Sequence, residues 1–201
     1  MQSNLTLDDR IAEQLAIDIS LSSAIQVRFG NSKAFNVTAS TLIPLMRDHE
    51  MGGVYICASV GAAERIEEFK AIGLSDEYIS RIQFIDLVSS GILGGTNVEY
   101  SNIHFVDSPI MLESVLLRTL YILRMTTSAR NFVFLDSVNA LAIYNDERML
   151  AEYLHTFINT FRQREVLTVI LNVPDQTPPL VLANLDLYCT VLIDRGQVLI
   201  N

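Results

Sequence analysis

Residues 131–136 read Asn-Phe-Val-Phe-Leu-Asp, in which four consecutive apolar residues are followed by one carboxylate. Four such residues leave no face for water, so this stretch predicts a central strand of a parallel sheet, buried on both sides. Asp136 then lies at the carboxyl end of the strand, which is the edge where open α/β sheets bind their ligands.

Asp136 has two interpretations at this position. An acid that follows a hydrophobic strand is the Walker B arrangement, which holds Mg²⁺ or its waters beside a nucleotide phosphate. A capping aspartate on a buried strand has the same local sequence, because one Asp after one apolar strand is common. The rest of the chain must distinguish these two roles.

The composition predicts a single domain over residues 1–201. Half of the 201 residues are hydrophobic and 18% are charged, and no repeat or low-complexity stretch marks a linker. The formal charge of −9 argues against binding to nucleic acid, which usually requires a basic surface.

Cysteine usage and the N-terminus indicate a cytoplasmic protein. Cys57 and Cys189 lie in apolar runs without the close spacing of metal ligands, so we expect reduced core thiols. The N-terminus is polar and acidic, unlike a signal peptide. A membrane span is not expected either, because charged residues interrupt the long apolar segment near residues 110–125.

Hydrophobic periodicity and turn residues predict an alternation of strands and helices. Predicted strands cover residues 24–29, 53–59, 82–88, 103–106, 131–136, 167–173 and 187–194. Predicted helices cover residues 7–19, 37–51, 62–72, 108–127, a segment after the turn at 145–146, and a short segment opened by residues 177–179. A glycine-rich stretch at 89–100 predicts a mobile loop, and a turn at 195–196 predicts an edge hairpin with residues 197–200. Together they predict an α/β fold with a three-layer, mostly parallel sheet, helices on both faces and an antiparallel edge hairpin.

The first strand, loop and helix are the setting of a phosphate-binding loop, but the motif is absent. Against the pattern G-x-x-x-x-G-K-[ST], only Gly30 fits, because residues 35–37 are Phe-Asn-Val where glycine, lysine and a hydroxyl residue are required. Lys33 and Thr38 lie nearby as possible substitutes, although a surface lysine in a polar loop is usually only solvated. The N-terminus of the following helix leaves weak anion binding open.

The order of these features resembles the KaiC-like branch of the RecA superfamily of ATPases, particularly its small archaeal single-domain members. The likeness covers nearly the whole chain and includes residues 24–51, 55–58, 84–86 and 107–109. The strongest piece is residues 132–141, Phe-Val-Phe-Leu-Asp-Ser-Val-Asn-Ala-Leu, which is similar to the family's Walker B strand and its Asp-Ser-x-x-x-Leu continuation. The resemblance implies that Asp136 and Ser137 belong to a nucleotide site, with Asp136 as the Mg²⁺ ligand if the ion is bound.

The sequence departs from the family where catalysis takes place. Such ATPases carry paired glutamates after the strand that follows the phosphate-loop helix, and the matching residues here are Val60 and Gly61. Neither can act as a base. Because phosphoryl transfer depends on positioning and charge neutralisation, these losses together remove nearly every group that does the chemistry.

These observations leave three hypotheses for function. The first is a catalytically inactive RecA-like module with a regulatory or signalling role, which binds a protein partner or itself and keeps a vestigial site at Gly30, Lys33, Thr38, Asp136 and Ser137. The alternative is an ATP-binding protein or slow ATPase with an atypical phosphate loop that uses Lys33, Thr38 and Asp136. The third is a sensor of a small organic ligand in the same crevice. We expect a homo-oligomer without a resident cofactor beyond weak Mg·ATP binding.

Overall fold

The computed structural model describes residues 20–30, 34–89, 100–106, 108–194 and 197–200. The strands are β1 (Ala24–Arg28), β2 (Gly52–Cys57), β3 (Ile82–Asp86), β4 (Ile103–Phe105), β5 (Asn131–Leu135), β6 (Leu167–Asn172), β7 (Val191–Asp194) and β8 (Gln197–Ile200). The α-helices are α1 (Ala34–Arg47), α2 (Ala62–Ala71), α3 (Asp76–Ser80), α4 (Leu112–Met125), α5 (Val138–Tyr144), α6 (Glu147–Arg162) and α7 (Pro179–Tyr188). A short 3-10 helix, Pro174–Gln176, follows β6.

The strands form one sheet in the order β4-β3-β2-β5-β6-β1-β7-β8. Strands β1 to β7 are parallel, and β8 pairs antiparallel with β7 at the edge. The turn predicted at residues 195–196 lies outside the described residues. Strand β5 lies between β2 and β6, and its residues from Phe132 to Leu135 are at most 1% exposed. The prediction of a central parallel strand, buried on both faces, is confirmed.

Helices cover both faces of the sheet, which confirms the predicted three-layer α/β architecture. Helices α1, α2 and α3 pack on one face, in a core rich in aromatic residues such as Tyr55, Phe69 and Phe134. Helices α4 to α7 pack on the other face, where Leu154, Phe157 and others fill the core. Successive side chains of a strand point to opposite faces of the sheet, so β5 contributes to both cores. This is why β5 is apolar at successive positions.

The direction of the chain reverses within the sheet. From β1 through β4 each crossover leads toward the β4 edge, and from β4 through β7 each leads back. Adjacent strands with opposite crossovers are β2 and β5, and also β6 and β1. Connections diverge to opposite faces at such switch points and leave crevices at the carboxyl edge of the sheet.

Several element boundaries differ from the predictions. Helix α1 begins at Ala34 rather than at residue 37, so residues 35 and 36 lie in its first turn and not in a loop. Helix α4 begins at Leu112 and not at Ser108, because the Ser108 hydroxyl accepts from the Ile110 N–H and closes a turn before the helix. Leu187 lies in the last turn of helix α7, which ends at Tyr188, and does not begin a strand. Helices α3 and α5 were not predicted.

Some predictions concern residues outside the described ranges. These are the helix at 7–19, most of the glycine-rich loop at 89–100, Lys33 and Asp107. Within the described residues, no helix has the length and apolar character needed to cross a membrane.

Candidate functional site

Asp136 lies at the carboxyl edge of the sheet, directly after β5, and is only 2% exposed. Its Oδ1 accepts hydrogen bonds from the backbone N–H groups of Ala58 (2.8 Å) and Ser59 (3.2 Å). Its Oδ2 accepts from the Ser59 hydroxyl at 2.8 Å. Because β2 is the neighbour of β5, the connection after β2 passes over the end of β5 and brings these donors to the carboxylate.

A buried arginine completes the surroundings of Asp136. Arg65 of α2 is 2% exposed, and its Nη2 lies 3.5 Å from Asp136 Oδ2. Its Nη1 donates to Glu68 Oε2 at 2.7 Å. The guanidinium lies over the rings of Phe35 and Tyr55, 5.5 and 5.9 Å from their centroids. A cation of the protein itself therefore lies beside Asp136, between the start of α1 and the end of β5.

These contacts use the acceptor capacity of the carboxylate. A carboxylate has about four lone-pair sites, and each oxygen of Asp136 faces two donors. Burial raises the pKa of the Asp136 carboxyl, while Arg65 and the hydrogen bonds from residues 58 and 59 act in the opposite direction. Asp136 therefore ties two connections and a helix together, with no oxygen directed to solvent.

Gly30, where the predicted phosphate loop begins, lies apart from Asp136. Gly30 is exposed after β1, and Thr38 is 1% exposed in α1. Strand β6 lies between β1 and β5, which places the ends of those two strands about 10 Å apart. Lys33 lies outside the described residues. Thr38 is therefore buried and not accessible to a phosphate in solution.

Ser137 and the residues that align with catalytic or phosphate-binding positions have structural contacts. The Ser137 hydroxyl caps α5 by accepting from the Ala140 N–H at 3.0 Å. Phe35, at the second glycine position, packs on Phe69 with ring centroids 5.6 Å apart. Gly61 is the N-cap of α2, where a glutamate base would be expected in the ATPases.

Asp86 is a second buried carboxylate that sequence reasoning did not assign to a site. It ends β3, is 1% exposed, and accepts from the N–H groups of Ala62, Val88 and Ser89 at 2.8 to 2.9 Å. The Ser89 hydroxyl donates to it as well. The signal was present, because Phe84-Ile85-Asp86 repeats the pattern of an apolar strand that ends on an acid.

A cleft of about 890 Å³ opens beside Asp136 at the switch point between β2 and β5. We name it the β2/β5 cleft. It is lined by side chains from residues 58–59, 87–88, 108–110 and 137–144 and by Gln176. Among the described residues that were predicted for the site, Ser137 alone lines this cleft. Within the described residues, no group of three or more His, Cys, Asp or Glu side chains could hold a metal ion.

Comparisons with known proteins identify the fold. No protein-family model matches the sequence, and no curated protein matches it. Among solved structures, a KaiC-like protein from the hyperthermophilic archaeon Pyrococcus horikoshii matches with a TM-score of 0.60 and 13% sequence identity. The match covers 85% of this chain and 69% of that protein. At this identity the likeness concerns the fold alone, and the chain has a RecA-like α/β fold.

Proposed function

We propose that this RecA-like chain does not hydrolyse ATP and acts in the cytoplasm as a regulatory or signalling module that binds a protein partner or a second copy of itself. The observation that carries the proposal is the use of both Asp136 oxygens by hydrogen bonds within the protein. A Walker B carboxylate must direct an oxygen at Mg²⁺ or its waters. Asp136 directs its oxygens at residues 58–59 and Arg65.

Arg65 adds an electrostatic argument. A divalent cation brought to Asp136 would approach a buried guanidinium, and two cations repel each other strongly where water is excluded. Removing Arg65 from this position would also break its contacts with Glu68 and the ring of Phe35. The buried arginine therefore takes the place beside the carboxylate where a metal ion would be attracted.

The connection after β1 supports the same proposal. Phosphate binding needs backbone that a phosphate can approach closely, and Phe35 fills the space at the second glycine position by packing on Phe69. Asn36 and Val37 supply neither the lysine nor the hydroxyl of the motif. Thr38 offers a hydroxyl but holds it in the core.

Support for a protein-binding role comes from the outer surface of α4. Leu117, Tyr121 and Met125 are 66%, 59% and 69% exposed. Residues four apart lie on the same side of a helix, so these three side chains form one apolar stripe. Exposed apolar surface that is contiguous in this way commonly marks a protein–protein contact.

The effect of Mg·ATP on the melting temperature tests whether the site still binds nucleotide. A ligand with a Kd of about 10 μM, present at about 1 mM, stabilises the native state by roughly 2.7 kcal/mol. For a chain of this length, that corresponds to a rise in melting temperature of roughly 5 to 11 °C. We expect Mg·ATP to raise it by less than about 1 °C, and phosphate release to remain at background.

The alternative of an ATP-binding protein or slow ATPase gives a different result. It requires a Mg²⁺-dependent shift of several degrees, or phosphate release, that is lost in Asp136→Asn. The matched control is Glu64→Gln, which alters an exposed carboxylate of α2. An effect kept in the control and lost in Asp136→Asn would replace the proposed function by this alternative.

Sedimentation tests the interaction role without nucleotide. We expect a dimer or larger assembly, or capture of a partner, that weakens in Tyr121→Asp. Leu187→Asp is the control, because Leu187 is equally apolar and 72% exposed but lies on α7. A monomer at all concentrations that captures no partner, or an assembly unaffected by Tyr121→Asp, would contradict a role for the α4 stripe.

A further inference from the structure

We propose that the β2/β5 cleft is a binding site for an uncharged small molecule of nucleoside type, which combines a planar ring with hydroxyl groups. The site is distinct from the connection after β1, where a nucleotide phosphate would bind. The inference does not depend on the proposed function, because a chain with or without ATPase activity could carry this second site.

The position and size of the cleft favour a ligand. It lies at the carboxyl edge between β2 and β5, where crossovers diverge to opposite faces, and such switch points are where open α/β sheets bind small molecules. Its volume of about 890 Å³ falls in the range of small-molecule sites. Residues from five separate connections of the chain line it.

Large apolar side chains surround the opening. Val88, Ile110, Ile143 and Tyr144 are 39%, 57%, 76% and 55% exposed, and all four line this one cleft. Single exposed apolar residues are ordinary on a protein surface, but four around one concavity form a patch that a ligand can cover. Tyr144 adds an aromatic face on which a planar ring can stack.

Polar groups on the walls retain hydrogen-bonding capacity. The Ser137 hydroxyl accepts from Ala140 N–H, so its own hydrogen remains available to donate to a ligand. The Ser59 hydroxyl donates to Asp136, so its oxygen remains able to accept. The side chains of Tyr144 and Gln176 make no hydrogen bond to other described residues. These groups suit hydroxyl and ring nitrogen atoms.

The charge of the lining decides between a nucleoside and a nucleotide. None of the described residues that line the cleft is charged. Asp136 and Asp86 lie behind the lining residues, with their oxygens engaged in hydrogen bonds, and the whole chain carries a formal charge of −9. A phosphate would find no cation on these walls and would be repelled by the net charge of the protein. A neutral ligand needs no cation on the walls and is not repelled by the net charge.

Calorimetric titration with defined probes tests the site. The probes are adenosine, guanosine, cytidine and uridine, each paired with its 5′-monophosphate. We expect at least one nucleoside to bind with a Kd below about 1 mM, and its monophosphate to bind at least about tenfold more weakly. Loss of ring stacking in Tyr144→Ala should weaken nucleoside binding roughly tenfold, and Ile143→Asp should do the same.

Controls separate loss of the site from loss of the fold. Ile143 and Tyr144 are exposed, so both variants should melt within a few degrees of the unmodified protein, and Leu187→Asp on α7 should bind the nucleoside unchanged. Three outcomes would overturn the proposal: none of the four nucleosides binds, binding survives both cleft variants, or the monophosphate binds as tightly as its nucleoside.

Discussion

Asp86 and Asp136 are buried aspartates at the carboxyl ends of two strands, β3 and β5, that flank β2. Each accepts backbone N–H groups and one serine hydroxyl. The difference lies in where the donors come from. Asp86 binds mainly residues two and three positions further along the chain, whereas the donors of Asp136 lie more than 70 positions earlier and include Arg65.

This difference teaches how one local pattern can serve two purposes. Asp86 holds its own connection in a turn and ties it to the start of α2, while Asp136 joins β5 to the connection after β2 and to a buried cation. An apolar strand that ends on an acid therefore predicts a buried carboxylate at the sheet edge. The partners of the carboxylate decide whether it binds metal or holds the fold together.

Asp136→Ala is expected to have the largest effect of the changes that test this comparison. It removes one of the two carboxylate partners of Arg65, a cation that is 2% exposed, and leaves the donors of residues 58 and 59 without an acceptor. Breaking a buried ion pair in this way costs about 3 to 5 kcal/mol. The melting temperature should fall by about 6 to 20 °C, as measured by circular dichroism.

The second-site variant Arg65→Met tests whether the loss of stability in Asp136→Ala arises from the Arg65–Asp136 ion pair. If the cost arises from the buried guanidinium that has lost Asp136, adding Arg65→Met to Asp136→Ala should recover part of the lost stability, because that buried cation is then absent. A double variant that is less stable than Asp136→Ala alone would show that the pair is not the source of the effect.

Asp86→Ala is expected to have a smaller effect. It also leaves buried donors without an acceptor, but no buried cation among the described residues loses its partner. The expected cost is about 1 to 3 kcal/mol, measured by urea unfolding. A loss larger than that of Asp136→Ala would reverse the comparison and would mean that the local turn matters more than the ion pair.

Gly61→Ala should perturb Asp86 indirectly and weakly. A Cβ at this position would lie 2.6 Å from the Ser89 hydroxyl oxygen, so that hydroxyl must move away from Asp86. Loss of one such hydrogen bond costs about 1 kcal/mol. Gly30→Ala is the matched control, because a Cβ there meets no atom of the described residues within 4 Å, and its stability should stay within about 0.5 kcal/mol.

The reactivity of Cys57 reports on both carboxylates. It ends β2, and burial first, then Asp136 and Asp86, raise its thiol pKa. Burial also raises the pKa of Cys189, to about 12. At pH 8 neither thiol should be alkylated by iodoacetamide while the protein is native, because the thiolate is the reactive form.

In Asp136→Ala and in Asp86→Ala, Cys57 should become alkylated faster relative to Cys189, since the variants remove a charge and open the structure near Cys57 alone. Mass spectrometry of digested samples measures both sites together. Equal acceleration at the two cysteines would point to global unfolding and would remove the local interpretation.

Much of the fold could be predicted from the sequence, because a strand that is buried on both faces of a sheet is apolar at successive positions. The run at residues 131–136 predicts β5, and its apolar residues are buried as expected. Helix α7 was not recognised over its full length because Pro179–Tyr188 is apolar on nearly all sides, so Leu187 matched a strand as well as a helix. Ser108 has the composition of an N-cap, but it closes a turn four residues before α4.

The candidate site could be predicted only in part. Asp136 and Ser137 lie at the expected edge. The contacts that occupy the Asp136 oxygens come from Ala58, Ser59 and Arg65, which lie close to it only because β2 pairs with β5. An arginine in a helix with several glutamates reads as a solvated residue, and nothing in its spacing signals burial. The β2/β5 cleft has the same origin, because five connections that are distant in sequence form it.

The position of β1 in the sheet also has a consequence for how the chain reaches its native state. Residues of β1 pair with β6 and β7, which lie more than 140 residues further along the chain. On a ribosome, the first strand of the sheet must wait until nearly the whole protein has been synthesised before its backbone groups find partners. Such distant pairing slows folding and exposes an apolar strand to other chains in the meantime. Strand β1, which is synthesised first, therefore depends on β6 and β7, which are synthesised late. Truncation near residue 190 would remove β7 and leave β1 with an open edge.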